Sequence, residues 1–169
     1  MPSESRVEVH TAREDELDAA SRVIKAAYRE YGAVMPASAF RKYIRDIGNV
    51  RSRLGEADLL VATIEGKVAG AVTLYLDGSR SAEGWPKGWA GIRMLAVHPR
   101  YRGRGAGLAL MQECLRRCRE QGIKTVGLHT TEAMAVGRRM YERMGFLRAP
   151  QYDFHPRPDM TVMAYKLDL

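Results

Sequence analysis

Arginines and glycines are interleaved in residues 100–107, a short segment whose residue types suit the binding of an anion. Its charged and flexible members are Arg100, Arg102, Gly103, Arg104, Gly105 and Gly107. Glycines let backbone N–H groups approach a ligand without interference from a Cβ atom. The segment opens onto a predicted apolar helix, Gly105–Gln121, whose first turn supplies unpaired N–H donors and the positive end of a helix dipole. These residues therefore predict a phosphate-binding site that needs no metal ion.

Two well-known phosphate-binding loops do not fit this segment. Counted from Gly103 and Gly105, the dinucleotide fingerprint G-x-G-x-x-G would need a glycine where Leu108 stands. A P-loop would need Gly-Lys followed by Ser or Thr, and the segment lacks this sequence. A glycine-rich connection with solvated arginines is the structural alternative.

This segment and a second one resemble the Gcn5-related N-acetyltransferase (GNAT) family. Arg102-Gly103-Arg104-Gly105-Ala106-Gly107 matches the family signature Q/R-x-x-G-x-G/A, and Val97-His98-Pro99 matches the end of the strand before it. Met140-Tyr141-Glu142-Arg143-Met144-Gly145-Phe146 is similar to the family's L-Y-E-x-x-G-F segment. The predicted order of elements also agrees with that of the family from residue 6 to residue 169.

The resemblance implies that acetyl-CoA, or a close acyl-CoA, is the co-substrate and that no metal is used. The diphosphate would lie on the backbone N–H groups of residues 102–107, which are Arg102, Gly103, Arg104, Gly105, Ala106 and Gly107. The pantetheine arm would insert beside Leu95, Ala96 and Val97, between the strand that ends at Val97 and the strand that ends near His129. The backbone N–H of Leu95 would polarise the thioester carbonyl as a fixed dipole.

Tyr141 occupies the position of the family's usual general acid. Coenzyme A leaves more readily as a thiol than as a thiolate, so a proton donor near the sulfur helps the reaction. A phenol, with an ordinary pKa of about 10, is protonated at neutral pH and can transfer a proton to a thiolate. Packing of the ring beside Met144 and Phe146 is the structural alternative, and the two roles are compatible.

The base that deprotonates the acceptor amine is left open by the sequence. An alkyl ammonium has a pKa of about 10 and must lose a proton before it attacks. Many relatives carry a glutamate for this step where this chain has Gly91. The candidates here are His129 at a strand end, Glu132 just after it, Glu83 in the preceding loop, or a water relay.

Four residues are candidates for the acceptor site. Tyr28, Tyr31 and Met35 lie in the N-terminal helical region, which walls that site in the family, although helix packing explains them equally well. Trp85 lies with Trp89 in the loop 77–89, where a lid over the acceptor or a dimer contact are both hypotheses.

Hydrophobic periodicity predicts the elements that position these residues. Strands are predicted at 6–10, Leu59–Glu65, Val68–Leu76 (after a Gly66-Lys67 turn), Ala90–Val97, Ile123–His129 and Thr161–Leu169, with an extended segment at Phe146–Asp153. Helices are predicted from a Thr11–Glu14 capping box to about Gly32, and at Ala37–Leu54, Gly105–Gln121 and Ala133–Met144. The fold class is α/β (α+β), with a mixed, mostly antiparallel sheet of about seven strands flanked by about four helices. The resemblance adds a splay between the fourth and fifth strands, and residues 1–169 are expected to form a single acyl-CoA N-acyltransferase domain.

Length and composition exclude several classes of protein. The chain has 169 residues, of which 46% are hydrophobic and 28% charged, as in a soluble globular domain. It has neither the run of about 20 apolar residues that a membrane helix needs nor a signal-peptide core. Cys114 and Cys118 are too few for a disulfide framework and are expected in the core. We therefore expect a cytoplasmic protein, monomeric or homodimeric, that has no membrane partner.

The net charge of +7 is concentrated in residues 93–119, which contain seven arginines and one glutamate. Such a field attracts a partner that carries phosphate. Nucleic acid is not expected, because no aromatic platform is interleaved with the arginines. The leading interpretation is an N-acetyltransferase that moves an acetyl group from acetyl-CoA to a primary amine by direct attack in a ternary complex. The acceptor would be a small molecule or a peptide, and an acyl-CoA-binding sensor without turnover is the alternative.

Overall fold

The computed structural model describes residues 6–169, which form two compact units. The first unit comprises residues 6–74 and 94–114, and the second comprises residues 75–93 and 115–169. Strand β4 (Ala90–Val97) and helix α3 (Ala106–Glu120) each contribute residues to both units.

The first unit is built from an antiparallel sheet and two helices. The strands are β1 (Val7–Thr11), β2 (Asp58–Ile64) and β3 (Lys67–Tyr75), in the order β1-β2-β3-β4, and the helices are α1 (Leu17–Tyr28) and α2 (Ala37–Gly48). Helix α1 buries an apolar stripe with helical spacing, which packs with Ile47 of α2 against Val61 and Ala71 of the sheet. Strand β4 thus lies next to β3 in this sheet, which positions the residues of β4.

The second unit contains the strands that follow β4 in the sheet. These are β5 (Thr125–Thr130), β6 (Leu147–Arg148), β7 (Phe154–Arg157) and β8 (Met160–Asp168), and the helix is α4 (Ala135–Arg143). The order is β4-β5-β8-β6, with β7 paired to β8. Strands β4 and β5 are parallel and pair over Ala90–Ile92 and Val126–Leu128, whereas β5 and β8 pair antiparallel along the whole of β5.

The predicted fold class is confirmed. Over residues 6–169 the sheet is mixed and mostly antiparallel, and four α-helices accompany it. It has eight strands rather than about seven, because Phe154–Arg157 folds back onto β8 as a short additional strand. The ends of α3, α4 and β5 differ from the predicted ends by one or two residues.

Several local predictions are wrong. Helix α1 ends at Tyr28 rather than near Gly32, because residues Arg29–Val34 form a 3-10 turn, and the predicted extended segment Phe146–Asp153 contains the 3-10 turn Pro150–Tyr152. The hairpin turn is Glu65-Gly66 rather than Gly66-Lys67, since both of its residues have positive φ angles, of 53° and 75°. The cap at the first helix lies at Arg13, not Thr11, because the carboxylate of Glu16 accepts a hydrogen bond from the Arg13 backbone N–H at 2.9 Å.

Helix α2 ends at Gly48 instead of Leu54. The guanidinium of Arg53 donates to the carbonyl oxygens of Asp46 and Ile47, at 3.1 and 2.8 Å, and so satisfies the end of the helix. The residues between them form a separate 3-10 turn, Val50–Arg53.

Candidate active site

The loop between β4 and α3 contains two glycines with left-handed backbone conformation. Nδ1 of His98 accepts a hydrogen bond from the Arg100 backbone N–H at 3.1 Å, which fixes the start of the loop. Gly103 and Gly105 adopt φ angles of +79° and +83°, a region that favours glycine. Ala106, buried at 2% exposure, then begins α3. Residues 102–105 are exposed, and the N–H groups in the first turn of a helix have no partner within the helix.

The arginines of this loop have partners within the first unit. The guanidinium of Arg104 lies over the ring of Tyr101 at 5.7 Å. Arg102 forms a two-pronged ion pair with Glu30, with N–O distances of 2.9 and 3.5 Å. Sequence reasoning missed Glu30, and no local signal points to a partner 72 residues away in the chain.

Strand β4 is distorted next to Leu95, the predicted oxyanion donor. Met94 has a φ angle of +56°, which is rare for a residue with a side chain and costs about 1–3 kcal/mol. The Tyr28 hydroxyl donates to the Leu95 carbonyl oxygen at 3.0 Å. The Leu95–Ala96 peptide group is therefore held from its carbonyl side by α1. Ala96 is buried, and Leu95 and Val97 are half-buried.

The predicted acceptor residues of the first unit form an aromatic cluster. The ring of Tyr28 lies 5.7 Å from that of Tyr31 and 6.4 Å from that of Tyr43. Burial, and then the negative charge of Glu30, raise the pKa of Tyr31. Met35 is half-buried beside the 3-10 turn Arg29–Val34. Substrate binding by Tyr28, Tyr31 and Met35 stays a prediction.

Tyr141 lies on α4 in the second unit and is 8% exposed. Its ring meets that of Phe146 edge to face, with 6.0 Å between centroids. Its hydroxyl lies over Gly137, 3.6 Å from the place that a Cβ atom would occupy there. The packing expected for the ring is present, and the acid role of the hydroxyl stays a prediction.

The structure brings two of the candidate bases together in the second unit. Nδ1 of His129 lies 3.0 Å from Oε2 of Glu83, and Nε2 of His129 lies 2.9 Å from the Tyr152 carbonyl oxygen. The side chains are 4% and 11% exposed, respectively. Arg93 approaches Glu83 from β4 at 3.2 Å. Glu132, the third candidate, is exposed.

Trp85 is a packing residue of the second unit, not an exposed lid. Its indole is 2% exposed and stacks on the His129 ring at 4.5 Å with 22° between the planes. A Cβ atom on Gly91 would lie 2.8 Å from this indole, and one on Gly127 would lie 2.6 Å from it. The indole therefore fills the space that side chains at these two sheet positions would occupy, and it offers a partner protein or an acceptor almost no surface.

Other expectations concern the core, metals and membranes. Cys114 and Cys118 are both buried, as predicted, and burial raises the pKa of the Cys118 thiol to about 11. Over residues 6–169, no three His, Cys, Asp or Glu side chains gather in a way that could hold a metal ion. Within the same range, no helix is both long and apolar enough to cross a bilayer.

Among the solved structures that share this fold are three acetyltransferases. The PaiA N-acetyltransferase from Thermoplasma acidophilum, solved with coenzyme A, is 17% identical over 96% of this chain and 99% of its own, with a TM-score of 0.73. A GNAT-family acetyltransferase from Staphylococcus aureus is 15% identical over 97% and 99%, with a TM-score of 0.72. A ribosomal-protein-alanine N-acetyltransferase from Brucella melitensis is 17% identical over 96% and 99%, with a TM-score of 0.65.

A family model described as the acetyltransferase (GNAT) family matches residues 21–146. The match contains the loop 102–107, and it ends at Phe146, where the second motif ends. The resemblance seen in the two motifs is thereby confirmed. The chain belongs to the GNAT family of acetyltransferases, which use acetyl-CoA as the acetyl donor.

Proposed function

We propose that this protein transfers the acetyl group of acetyl-CoA to a primary amine of a small molecule or peptide, by direct attack while both substrates are bound. The observation that carries the proposal is the loop 102–107, where two glycines with positive φ lead into the first turn of a 15-residue helix. Such a turn binds a diphosphate through N–H groups without a metal ion.

Coenzyme A fits this loop in charge as well as in backbone conformation. Arg102 and Arg104 flank Gly103, and both side chains are exposed. The carboxylate that faces Arg102 belongs to Glu30, so a phosphate oxygen would compete with it for the same guanidinium. The main-chain N–H donors in the rest of the loop can bind phosphate without displacing a carboxylate. The pantetheine arm would follow Leu95, Ala96 and Val97.

The backbone N–H of Leu95 would stabilise the negative charge that develops on the thioester oxygen. Removing a donor of this kind costs about 3 kcal/mol of transition-state stabilisation. The hydroxyl of Tyr28, which holds the carbonyl oxygen of the same residue, would fix the direction of β4 at that point.

The reaction balances with the groups named. The lone pair of the amine nitrogen forms the C–N bond with the acetyl carbon, and the C–S bond breaks with its electrons on sulfur. The hydroxyl of Tyr141 would protonate the departing thiolate. The proton lost by the amine goes to a base, for which Glu83, His129 and Glu132 are the candidates.

We treat residues 1–169 as one acyltransferase domain that works in the cytoplasm as a monomer or homodimer. Nucleic acid is not among its proposed partners, because an acyl-CoA explains the basic segment.

Release of free thiol from acetyl-CoA in the presence of a panel of primary amines tests this function. Turnover that depends on one class of amine, above the background of acetyl-CoA hydrolysis, is the expected result. Saturable binding of acetyl-CoA with no turnover across amines, peptides and amino acids would instead support a sensor.

A further inference from the structure

We infer that Glu83 and His129 form the proton-accepting pair for the acceptor amine, with the indole of Trp85 as its platform. The inference rests on the proposed function, because it assigns a step of the same reaction. It selects these two residues over Glu132 and assigns each of them a role.

The hydrogen bonds of His129 leave one basic nitrogen beside the carboxylate. A carbonyl oxygen can only accept, so Nε2, at 2.9 Å from the Tyr152 carbonyl oxygen, must carry a hydrogen. In the neutral ring, Nδ1 then has a lone pair, 3.0 Å from Oε2 of Glu83. Both atoms are buried, and among residues 6–169 neither has a hydrogen-bond partner that would compete for a proton. Nδ1 of His129 and Oε2 of Glu83 are therefore adjacent basic atoms that can hold one added proton between them.

The exposure of the two side chains suggests the order of transfer. Glu83 is 11% exposed and His129 is 4% exposed, so an ammonium group reaches the carboxylate more easily than the imidazole. Glu83 is therefore the catalytic residue that takes the proton from the amine. His129 is the positioning residue that receives this proton on Nδ1, forming an imidazolium beside the carboxylate.

Aromatic rings hold the imidazole in place. Trp85 stacks on one side of His129 at 4.5 Å, and Phe154 meets it edge to face at 4.9 Å. The indole can lie there only because residues 91 and 127 are glycines.

Three other charged residues lie around Glu83 and His129, either in contact with them or one residue removed. Nε of Arg93 on β4 lies 3.2 Å from Oε1 of Glu83. Asp153, after the turn Pro150–Tyr152, lies close enough for the charge of His129 to act on it, and Arg148 on β6 neutralises Asp153 through two hydrogen bonds. Arg93 and Asp153, which is itself paired with Arg148, thus lie near the relay.

The chain contains a matched control in the first unit. Nε2 of His10 lies 2.9 Å from Oε1 of Glu16, and Glu16 is 8% exposed. This pair resembles Glu83–His129 in chemistry, distance and burial of the carboxylate, but His10 lies on β1 and Glu16 lies in the 3-10 turn before α1. Substitutions there report what the loss of a buried His–Glu contact does to stability alone.

The test measures kcat/KM against pH for the best primary amine of the panel, in Glu83→Gln, His129→Asn, Glu16→Gln and His10→Asn. We expect Glu83→Gln to lower kcat/KM about 100-fold at neutral pH, the usual contribution of a general base. The loss should shrink as the pH approaches the pKa of the amine, because free amine then needs no base. Coenzyme A affinity should stay unchanged, and Glu16→Gln should keep the wild-type profile.

A loss that is equal at every pH would overturn the inference, because it would mean a structural contact only. Unchanged kcat/KM in Glu83→Gln would overturn it as well. If His129→Asn does not fold, Glu83→Gln carries the test, since Gln preserves the shape of the side chain. O-methylhydroxylamine, which is unprotonated at neutral pH, provides a second readout, and its acetylation should survive in Glu83→Gln. Failure of the proposed function would look different, because the wild-type protein would then acetylate no amine at all.

Discussion

Tyr141 combines a buried ring with a hydroxyl that lies over a glycine. Replacement by phenylalanine keeps the edge-to-face contact with Phe146 and removes only the oxygen. We therefore expect Tyr141→Phe to retain its thermal stability and its affinity for coenzyme A, while kcat falls about 100-fold or more through loss of the general acid. Steady-state kinetics with acetyl-CoA and the best amine measure this.

A second buried tyrosine of the same unit is the control. The Tyr165 hydroxyl donates to Glu142 at 3.0 Å, and this residue has no proposed role in the reaction. Tyr165→Phe should leave kcat within a few-fold of wild type. Equal kcat values for Tyr141→Phe and wild type would show that the phenol is not the acid.

Gly127 allows the indole of Trp85 to lie on the sheet. A methyl group at residue 127 would stand 2.6 Å from the ring, and the buried ring has little room to move. Gly127→Ala should lower the free energy of unfolding by about 1–3 kcal/mol, as overpacking does. Urea unfolding checks this value.

Gly55 offers a comparison for that substitution, because nothing lies within 4 Å of its Cβ position and its φ angle is not positive. Gly55→Ala should be neutral or slightly stabilising. Stability in Gly127→Ala equal to that in Gly55→Ala would contradict the packing described for Trp85.

At the scale of elements, the junction of β4 with α3 depends on the backbone of two glycines. Gly105 has a φ angle of +83°, and a valine there would be strained and would turn the N–H groups of the loop. We expect Gly105→Val to weaken coenzyme A binding at least about tenfold, measured by calorimetry.

The other end of the same helix provides the control for this change. Gly122 follows α3 with a φ angle of +71°, so Gly122→Val imposes comparable backbone strain. It should lower stability without altering the affinity for coenzyme A. Equal affinities in the two variants would remove the loop from the binding site.

The carboxylate of Asp153 accepts hydrogen bonds from Arg148 on β6 and from Ala164 on β8. Two hydrogen bonds from the Arg148 guanidinium lower the pKa of Asp153 to about 2, and a hydrogen bond from the Ala164 backbone N–H contributes. Because the folded-state pKa lies below the ordinary value of 3.8, the stabilisation is complete above pH 3.8 and is lost as the pH falls through 2. It amounts to about 2 kcal/mol.

Asp153→Asn should therefore unfold more easily than wild type at neutral pH by about that amount. The difference between the two proteins should shrink as the pH falls from 3.8 towards 2. Chemical denaturation at several pH values measures it. A difference that does not depend on pH would show that the ion pair has little effect on stability.

Periodicity and turn residues predicted most helices and strands, but not their ends. The true end of α2 depends on Arg53 folding back onto carbonyl oxygens, and the first cap depends on Glu16, which His10 also contacts. In both cases several neighbouring residues have a similar propensity to cap a helix, so the sequence does not show which side chain forms the cap. The short strand β7 exists only because β8 lies beside it, so its own residues carry no strand pattern.

Across the molecule, motifs pointed to the glycine-rich loop 102–107, whereas contacts between distant residues were beyond sequence reasoning. The loop 102–107 is continuous in the chain, so its glycine spacing was visible. Tyr28 reaches Leu95 across 67 residues, and Arg102 reaches Glu30 across 72. Such pairs depend on how strands are ordered in the sheet. His129 and Glu83 were each singled out as a base, but their meeting required the structure.

We propose that the main-chain amides of residues 102–107 hold the diphosphate of coenzyme A. The backbone ¹⁵N–¹H resonances of the glycines test it directly in a titration with coenzyme A. We predict that Gly103, Gly105 and Gly107 shift most and saturate together, whereas Gly55 and Gly122 stay in place. Saturable binding that leaves the three loop glycines unshifted would show that this loop does not hold the diphosphate.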